Sequence, residues 1–435
     1  MAAHTLGCKL NFAETSQLLR KLAEYGHTVV DFKSEADLYI INTCTVTAVA
    51  ERKCRNAVRQ ATRQNPQAKV VVTGCYAETE QRQIERIPGV SIVLGNDKKH
   101  LLAEIVEHAQ TVSPDDESQR PALPDLQSGA TSLQSPTPAF APAWSSTGRT
   151  RAFVKIQDGC DYFCTYCAIP IARGRSRSAT VDEVVDMVEQ CAGQGAKEVV
   201  LTGVNTGTFG QHTGESLLDL LRRLDDIEAI RRYRISSIEP NLLTDEIIDF
   251  TARSRAFLPH FHIPMQAGSD PVLRLMHRRY DTSLYRERVA HIKSLMPDAC
   301  IAADIIAGFN GETESDFQAT KAFVDSLPIS YLHVFTYSER PHTAALKITP
   351  RTDVAERRRR SRELHCISQK KLKLFVESQV GKQRPVLWES DNHQGEMHGL
   401  TDNYIRLRRA FDPVFVNAVT LETITHDNAI ADVPE

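Results

Sequence analysis

Three cysteines stand close together in the run KIQDGCDYFCTYCAIP: Cys160, Cys164 and Cys167, spaced C-x3-C-x2-C. Thiolates are the usual ligands of iron–sulfur clusters, normally four to a cluster. Three leave one iron of a 4Fe–4S cube without a protein ligand, and that iron can chelate the amino and carboxylate groups of S-adenosylmethionine. The plainer alternatives are a zinc knuckle short of a ligand, or three buried thiols. No nearby His or Cys offers zinc its fourth ligand, so the spacing favours the iron–sulfur site.

A second set is spread along the first hundred residues. Cys8, Cys44 and Cys75 occur in the contexts HTLGC, IINTC and VVTGC. Each context reads as the end of a short buried strand. In a parallel sheet the carboxyl ends of the strands share one edge, where distant residues converge. Spacing leaves two readings open for this set: a second cluster with an open iron, or unrelated buried thiols, since free Cys is among the most buried residue types. Cys54, Cys191, Cys300 and Cys366 lack patterned partners and read as structural thiols. Ten cysteines without a secretory leader do not suggest a disulfide framework.

The elements that must carry these residues follow from hydrophobic periodicity. Residues 1–109 alternate short apolar runs (38–41, 69–72, 90–94) with helical patterns (12–25, 47–65, 79–87), which predicts a doubly wound parallel sheet. MAAHTLG leaves little room for a first strand. Residues 110–148 are rich in Pro and Ser without hydrophobic period and read as a linker. From 149 the alternation resumes. Strands are predicted at 152–157, 197–202, 232–237, 259–263, 299–307 and 330–336, with helices between them. Six such units curl into a partial (βα)6 barrel, whose chemistry sits at the carboxyl ends of the strands. Residues 346–384 predict a long basic helix; Arg351 to Arg384 hold eleven Lys/Arg against four Asp/Glu. Beyond it, β patterns at 384–389, 404–407 and 415–425 predict a small antiparallel barrel. The domains are therefore expected at 1–109, 149–375 (with the basic helix) and 376–435, joined by the linker 110–148.

The motifs together identify a likeness. TLGCKLN, INTCTV, VTGCYAE, VKIQDGCDYFCTYCAIPIARGRSRS, LTGVNTGTFG, RISSIEP, HIPMQAGSDPVLRLMHRRY, DIIAGFNGETESDF and FTYSERPHTAA occur in the order found in the radical-SAM methylthiotransferases, which the chain resembles over nearly its full length. The C-terminal piece looks like the RNA-binding TRAM barrel of that family. The resemblance implies two 4Fe–4S clusters. Cys160, Cys164 and Cys167 would hold the one that cleaves S-adenosylmethionine to a 5′-deoxyadenosyl radical. Cys8, Cys44 and Cys75 would hold an auxiliary cluster that carries the sulfur to be inserted. Within the family, TLGCKLNFAET, LTGVNTG and SSIEPNLL are most similar to the members acting on tRNA N6-threonylcarbamoyladenosine beside the anticodon, at position 37. The alternatives are isopentenyladenosine in tRNA and a ribosomal protein aspartate. The implied partners are tRNA and an external electron donor of flavodoxin or ferredoxin type, acting with a monomer.

Further residues gather around this reading. Gly203 and Asn205 follow the second barrel strand and, by resemblance, border the S-adenosylmethionine site; a glycine-rich turn is otherwise just a turn. Ser237 and Glu239 follow the third strand, and Gln266 and Asp304 lie on or after later ones. An Asp between apolar strand residues needs a partner. Arg173 and Arg175, with Arg177, could grip phosphates or the cofactor carboxylate, although charge runs are commonly solvated faces. The basic helix suits tRNA phosphates. The terminal segment does not: residues 385–435 hold three Arg and nine acids. Any RNA contact there falls to Arg406, Arg408 and Arg409 with Tyr404. Net charge is -3 over 435 residues, which by itself says nothing for nucleic acid. With neither a leader pattern nor an apolar run of spanning length, a cytoplasmic location without membrane contact is expected.

Overall fold

A computed structural model describes residues 1–44, 48–111, 140–145 and 150–432. The chain forms two compact units: Met1–Ala143 with Gly159–Asp161 and Ala168–Ser176, and Trp144–Asp158 with Tyr162–Cys167 and Arg177–Glu435.

The first unit is built on four parallel strands in the order β1 (Ala2–Thr5), β2 (Leu38–Thr43), β3 (Lys69–Gly74), β4 (Ile92–Leu94). Side chains alternate between its faces. Tyr39, Ile41, Val70 and Val72 pack with Val58 and Ala61 of α2 (Ala48–Gln64). Leu38, Ile40 and Val71 pack with Leu18 and Leu22 of α1 (Lys9–Glu24) and Val106 of α5 (Leu102–Thr111). This is the doubly wound sheet. The short N-terminus nevertheless forms β1, because Ala2 to Thr5 pair in register with Tyr39 to Asn42. The helix expected at 79–87 is instead two, α3 (Cys75–Thr79) and α4 (Gln81–Glu85), broken where Glu80 leaves helical geometry.

In the second unit β5 (Ala143–Ser145), β6 (Arg151–Lys155), β9 (Glu198–Thr202) and β10 (Tyr233–Ile235) form one sheet. β11 (His260–His262), β12 (Cys300–Ala307) and β13 (Tyr331–Thr336) form another, and a parallel bridge from Tyr233 to Phe257 links the two. The six predicted barrel strands are β6 and β9–β13, all parallel. The ribbon of β7 (Gln157–Asp158) and β8 (Arg177–Ser178) brackets the cluster loop, which carries α6 (Ile169–Arg173). The helices between strands are α7 (Val181–Gly193), α8 (Leu217–Asp225), α9 (Asp245–Arg253), α10 (Asp270–Leu275), α11 (Thr282–Leu295) and α12 (Glu314–Ser326). Capping boxes start three of them, at Thr180 with Glu183, Ser216 with Asp219 and Thr313 with Asp316. The predicted linker lies mostly outside the described residues. Its end is strand rather than linker, since Trp144 is buried and Ser145 Oγ accepts from Phe153 N–H (3.1 Å).

The long helix α13 (Val354–Glu377) is shorter than the predicted 346–384, because Asp353 caps it, accepting from Glu356 N–H. Its charge is also differently disposed. Arg357 and Arg360 are buried, pairing with Glu339 and Glu312, and Arg359 pairs with Glu314, Glu356 and Glu363. Half the run is thus spent inside the unit, leaving Arg358, Arg362, Lys370 and Lys373 exposed. The terminal strands, β14 (Gln383–Trp388), β15 (Glu396–Thr401), β16 (Arg406–Ala410), β17 (Val419–Thr423) and β18 (Ala429–Ile430), form an antiparallel sheet in the order 17-14-15-16-18. β15 was not visible in sequence: GLT is its apolar end, and polar Glu396 and His398 precede it.

Glu198 on β9 joins this sheet to the barrel. It accepts from Arg232 Nε (3.0 Å) and Arg234 Nε (2.8 Å). The same arginines reach the carbonyls of Leu400, Thr401 and Asp402. Burial alone would raise the Glu198 pKa, but Arg234, Arg232 and Arg151 hold it down to about 2. Replacing Glu198 by Ala strands two buried guanidinium groups and is expected to cost about 3–5 kcal/mol in urea unfolding. An unfolded Glu titrates near ~4.3. The contribution is therefore complete above that range and lost as pH falls towards 2.

Candidate functional site

In the first unit the three separated cysteines reach one sheet edge. Cys8 caps α1, Cys44 follows β2 and Cys75 opens α3. Leu6 N–H donates to Asn42 C=O (2.8 Å), which carries the ladder past β1 and sets Gly7 beside Cys44. Gly7 has φ +99°, and a Cβ there would lie 2.6 Å from Cys44 Cβ, so the approach requires glycine. The Cys8 thiol feels the charges of Cys75, Arg173 and Glu14. Asn96 Nδ2 donates to Cys75 Sγ (3.6 Å).

Beneath this edge lies a buried ionic group. Arg173 holds both oxygens of Glu14 (3.0 and 3.3 Å) and also Asn11, while Lys99 Nζ reaches Glu14 (2.7 Å) and Asn42 (3.1 Å). Two cations meet at this carboxylate beside the triad, and positive charge there suits an anionic thiolate-bound cluster. Arg173 is therefore committed here, not to phosphates, and Arg175 is exposed, 3.5 Å from Asp161.

The C-x3-C-x2-C loop is shaped by its backbone. Gly159 has φ +68°, and a Cβ there would fall 1.9 Å from Arg175 C=O. Cys160 N–H donates to Gly174 C=O (3.1 Å), and Cys167 N–H to Cys164 C=O (3.0 Å). Cys164 Sγ accepts from Arg278 (3.1 Å), whose guanidinium also holds Glu239 and the Tyr166 hydroxyl. Burial pushes the Cys164 thiol up, and Arg278 opposes it. Glu239 is likewise raised by burial against Arg278.

The residues expected beside the cofactor are partly gathered around this loop's second half. Gln157 Oε1 accepts from Val204 and Asn205 N–H (2.9 Å each), fixing the turn after Gly203. Asn205 is buried, with its amide beside the Tyr162 hydroxyl. Ser237 uses its carbonyl to accept from Thr206 Oγ1 (2.9 Å). Gln266 adopts φ +62° and bonds the Asp304 carbonyl through its N–H (2.8 Å). The Asp304 charge adds a smaller upward push on Glu239. Tyr404, expected on the RNA side, stacks on His260 instead (4.1 Å).

Sequence reading missed Arg278, Asn11, Glu14, Lys99 and Gln157. Asn11 and Glu14 follow Cys8 at helical spacing, the one signal that could have exposed them. All six cluster cysteines lie outside disulfides. Among the described residues, the one trio of Cys, His or acidic side chains with ligand atoms within 4.8 Å of one another is His262, Asp304 and His333. The glycine turns and flanking cations at both cysteine triads fit an iron–sulfur cube.

Residues 1–95 match the Uncharacterized protein family UPF0004, and residues 154–324 the Radical SAM superfamily. The chain is 37% identical, over 94% of its length and 89% of the relative, to the threonylcarbamoyladenosine tRNA methylthiotransferase MtaB of Bacillus subtilis. The protein of that name from Aquifex aeolicus is 37% identical over 94% of this chain and 96% of its own. The tRNA-2-methylthio-N(6)-dimethylallyladenosine synthase of Geobacter sulfurreducens is 32% identical over 97% and 94%. A solved radical S-adenosylmethionine methyltransferase, TsrM from Kitasatospora setae, shares the fold at TM-score 0.56 and 15% identity, over 79% of this chain and 76% of that one.

Proposed function

Since the chain belongs to the radical S-adenosylmethionine methylthiotransferases, we propose that it converts N6-threonylcarbamoyladenosine at position 37 of tRNA to its 2-methylthio derivative. The carrying observation is the 37% identity, over 94% of the chain, to relatives named for that nucleoside. The cofactors are S-adenosylmethionine and two 4Fe–4S clusters. When bound, the cluster on Cys160, Cys164 and Cys167 supplies the electron that cleaves S-adenosylmethionine, and the one on Cys8, Cys44 and Cys75 supplies sulfur.

The chain's own residues hold and orient. Arg278 clamps Cys164 and Glu239 together, fixing the rim of the radical site. Gln157 fixes the turn that carries Gly203 and Asn205, and the buried Asn205 amide serves the cofactor. Arg173 and Lys99 place positive charge beside the sulfur-donating triad. The exposed cations of α13 offer phosphate contacts. The functional divisions are 1–109, 149–375 and 376–435, with 110–148 as tether. The working partners are tRNA and a flavodoxin- or ferredoxin-type reductant, acting with a cytoplasmic monomer. Among the described residues no helix is long and apolar enough to cross a membrane.

The substrate is checked by mass spectrometry of tRNA nucleosides from a deletion strain. The methylthio group is expected to vanish from threonylcarbamoyladenosine while its unthiolated parent accumulates. Loss from the dimethylallyl nucleoside, or from a ribosomal protein aspartate, would assign the enzyme to the other substrate instead.

A further inference from the structure

Thr165, between Cys164 and Cys167, ties the cysteine loop to a surface of the second unit. All three of its polar groups bond away from the loop. Its N–H donates to Met276 C=O (3.2 Å), its Oγ1 donates to Leu275 C=O (2.8 Å), and its C=O accepts from Ala345 N–H (2.8 Å). The end of α10 and the helical turn Ala344–Lys347 are thereby pinned to the loop. Between them lies an open depression lined by Pro271, Leu275, Ala344 and Ile348, with Thr165 in its wall. Leu275 Cδ1 and Ile348 Cγ2 each lie 3.0 Å from the point where a Gly311 Cβ would stand, so the two side chains close over that glycine.

The rim of the depression is cationic. Arg274 lines it, and Lys347 stands between the lining residues Ala344 and Ile348. Arg351 reaches the same turn, donating to Leu346 C=O (3.1 Å). All three cations are exposed. The neighbouring acids are engaged: Asp270 accepts from Thr282 N–H and Asp353 from Glu356 N–H, while Glu339 and Glu312 pair with the buried Arg357 and Arg360. An apolar centre inside a polar rim is the anatomy of a contact between proteins. Grooves that grip single-stranded nucleic acid add aromatic rings on which bases stack. Among the described residues no Phe, Tyr or Trp lines this depression.

We propose that this depression docks the protein that delivers the electron for S-adenosylmethionine cleavage, and that this protein is an acidic one-electron carrier. The inference rests on the radical-enzyme reading of Cys160, Cys164 and Cys167. Each cleavage consumes one electron. The carrier is oxidised by that electron, and the C5′–S bond breaks to give methionine and the 5′-deoxyadenosyl radical. The electron must enter at the cluster, and Thr165 is one Cα step, about 3.8 Å, from Cys164. Its three hydrogen bonds hold the loop in a fixed relation to whatever docks against Leu275 and Ala345. The rim cations steer an acidic partner, an attraction that salt screens. Electron-transfer encounters bury little surface, which suits an apolar centre of only four side chains.

The test uses the reconstituted full chain and two electron sources, dithionite and an acidic flavodoxin kept reduced by NADPH and its reductase. The readout is 5′-deoxyadenosine. In the double variant Arg274→Glu, Lys347→Glu the KM for flavodoxin should rise about tenfold or more. Its dependence on ionic strength should flatten, while the dithionite-driven rate stays at the wild-type level. Both side chains are exposed, so the variant should fold. An unchanged flavodoxin KM removes the docking role. Equal loss with both sources would make these residues supports of the cysteine loop and also overturn it. Weaker binding of a tRNA anticodon stem-loop with unaltered flavodoxin kinetics would assign the surface to RNA instead. A wild type that works with dithionite but not with flavodoxin rejects an acidic carrier. A wild type that gives no deoxyadenosine with either source overturns the radical-enzyme reading and this inference together.

Discussion

Replacing Cys160, Cys164 and Cys167 together by Ala is expected to abolish 5′-deoxyadenosine formation, the largest effect any change here should have. An unactivated C–H bond is beyond the reach of a side-chain acid or base, so all turnover depends on the cofactor chemistry that this loop supports. The expectation does not depend on general unfolding. Cys160 and Cys167 are only half-buried, and the loop owes its shape to backbone bonds and the Gly159 turn rather than to the thiols. The variant should fold, still bind about four irons where the wild type binds about eight, and give no deoxyadenosine with dithionite as electron source. Deoxyadenosine at the wild-type rate would sink the assignment. An unchanged iron content would do so equally, because it would mean that these thiols hold nothing.

That loop was legible because its chemistry is local. Three cysteines within eight residues need no fold to bring them together. The separated triad was different, since Cys8, Cys44 and Cys75 gained meaning only as ends of adjacent parallel strands. The strand pattern foretold the sheet, but not the closeness of Gly7 to Cys44 that brings those ends together. What sequence hid was partnership at a distance. The arginine run of α13 read as a surface for phosphates, yet Arg359 and Arg360 meet Glu314 and Glu312, 45 and 48 residues away. Charge counts register density and are blind to who neutralises whom. Arg173 looked like a phosphate grip beside the cluster loop, but its carboxylate partner, Glu14, lies 159 residues earlier. His262 and Asp304, 42 residues apart, become a pair only through strand order. The strands of the barrel, by contrast, were found within one or two residues, because buried parallel strands are continuous apolar runs bounded by turns.

The second large effect separates the two triads. Changing Cys8, Cys44 and Cys75 to Ala is expected to leave S-adenosylmethionine cleavage standing while methylthiolation of tRNA falls to background. The reason lies in where the residues sit. These thiols belong to the first unit, as does the buried ionic group of Glu14, Arg173 and Lys99. Of the radical site, Cys164, Cys167, Arg278, Glu239 and Asn205 belong to the second unit and Cys160 to the first. No ligand of the radical site is altered, so dithionite-driven deoxyadenosine should persist, and iron should fall from about eight to about four. The ionic group makes the outcome more informative than a cysteine scan alone. Once the anionic cluster is gone, the buried Arg173 and Lys99 lose a nearby negative charge, and buried charge is costly when its compensation is reduced. The first unit of the variant should therefore melt earlier, while the second keeps its transition. If deoxyadenosine vanished in this variant yet survived in the Cys160, Cys164 and Cys167 variant, the two assignments would have to be exchanged. Thiolation surviving with four irons lost would show that the sulfur comes from elsewhere.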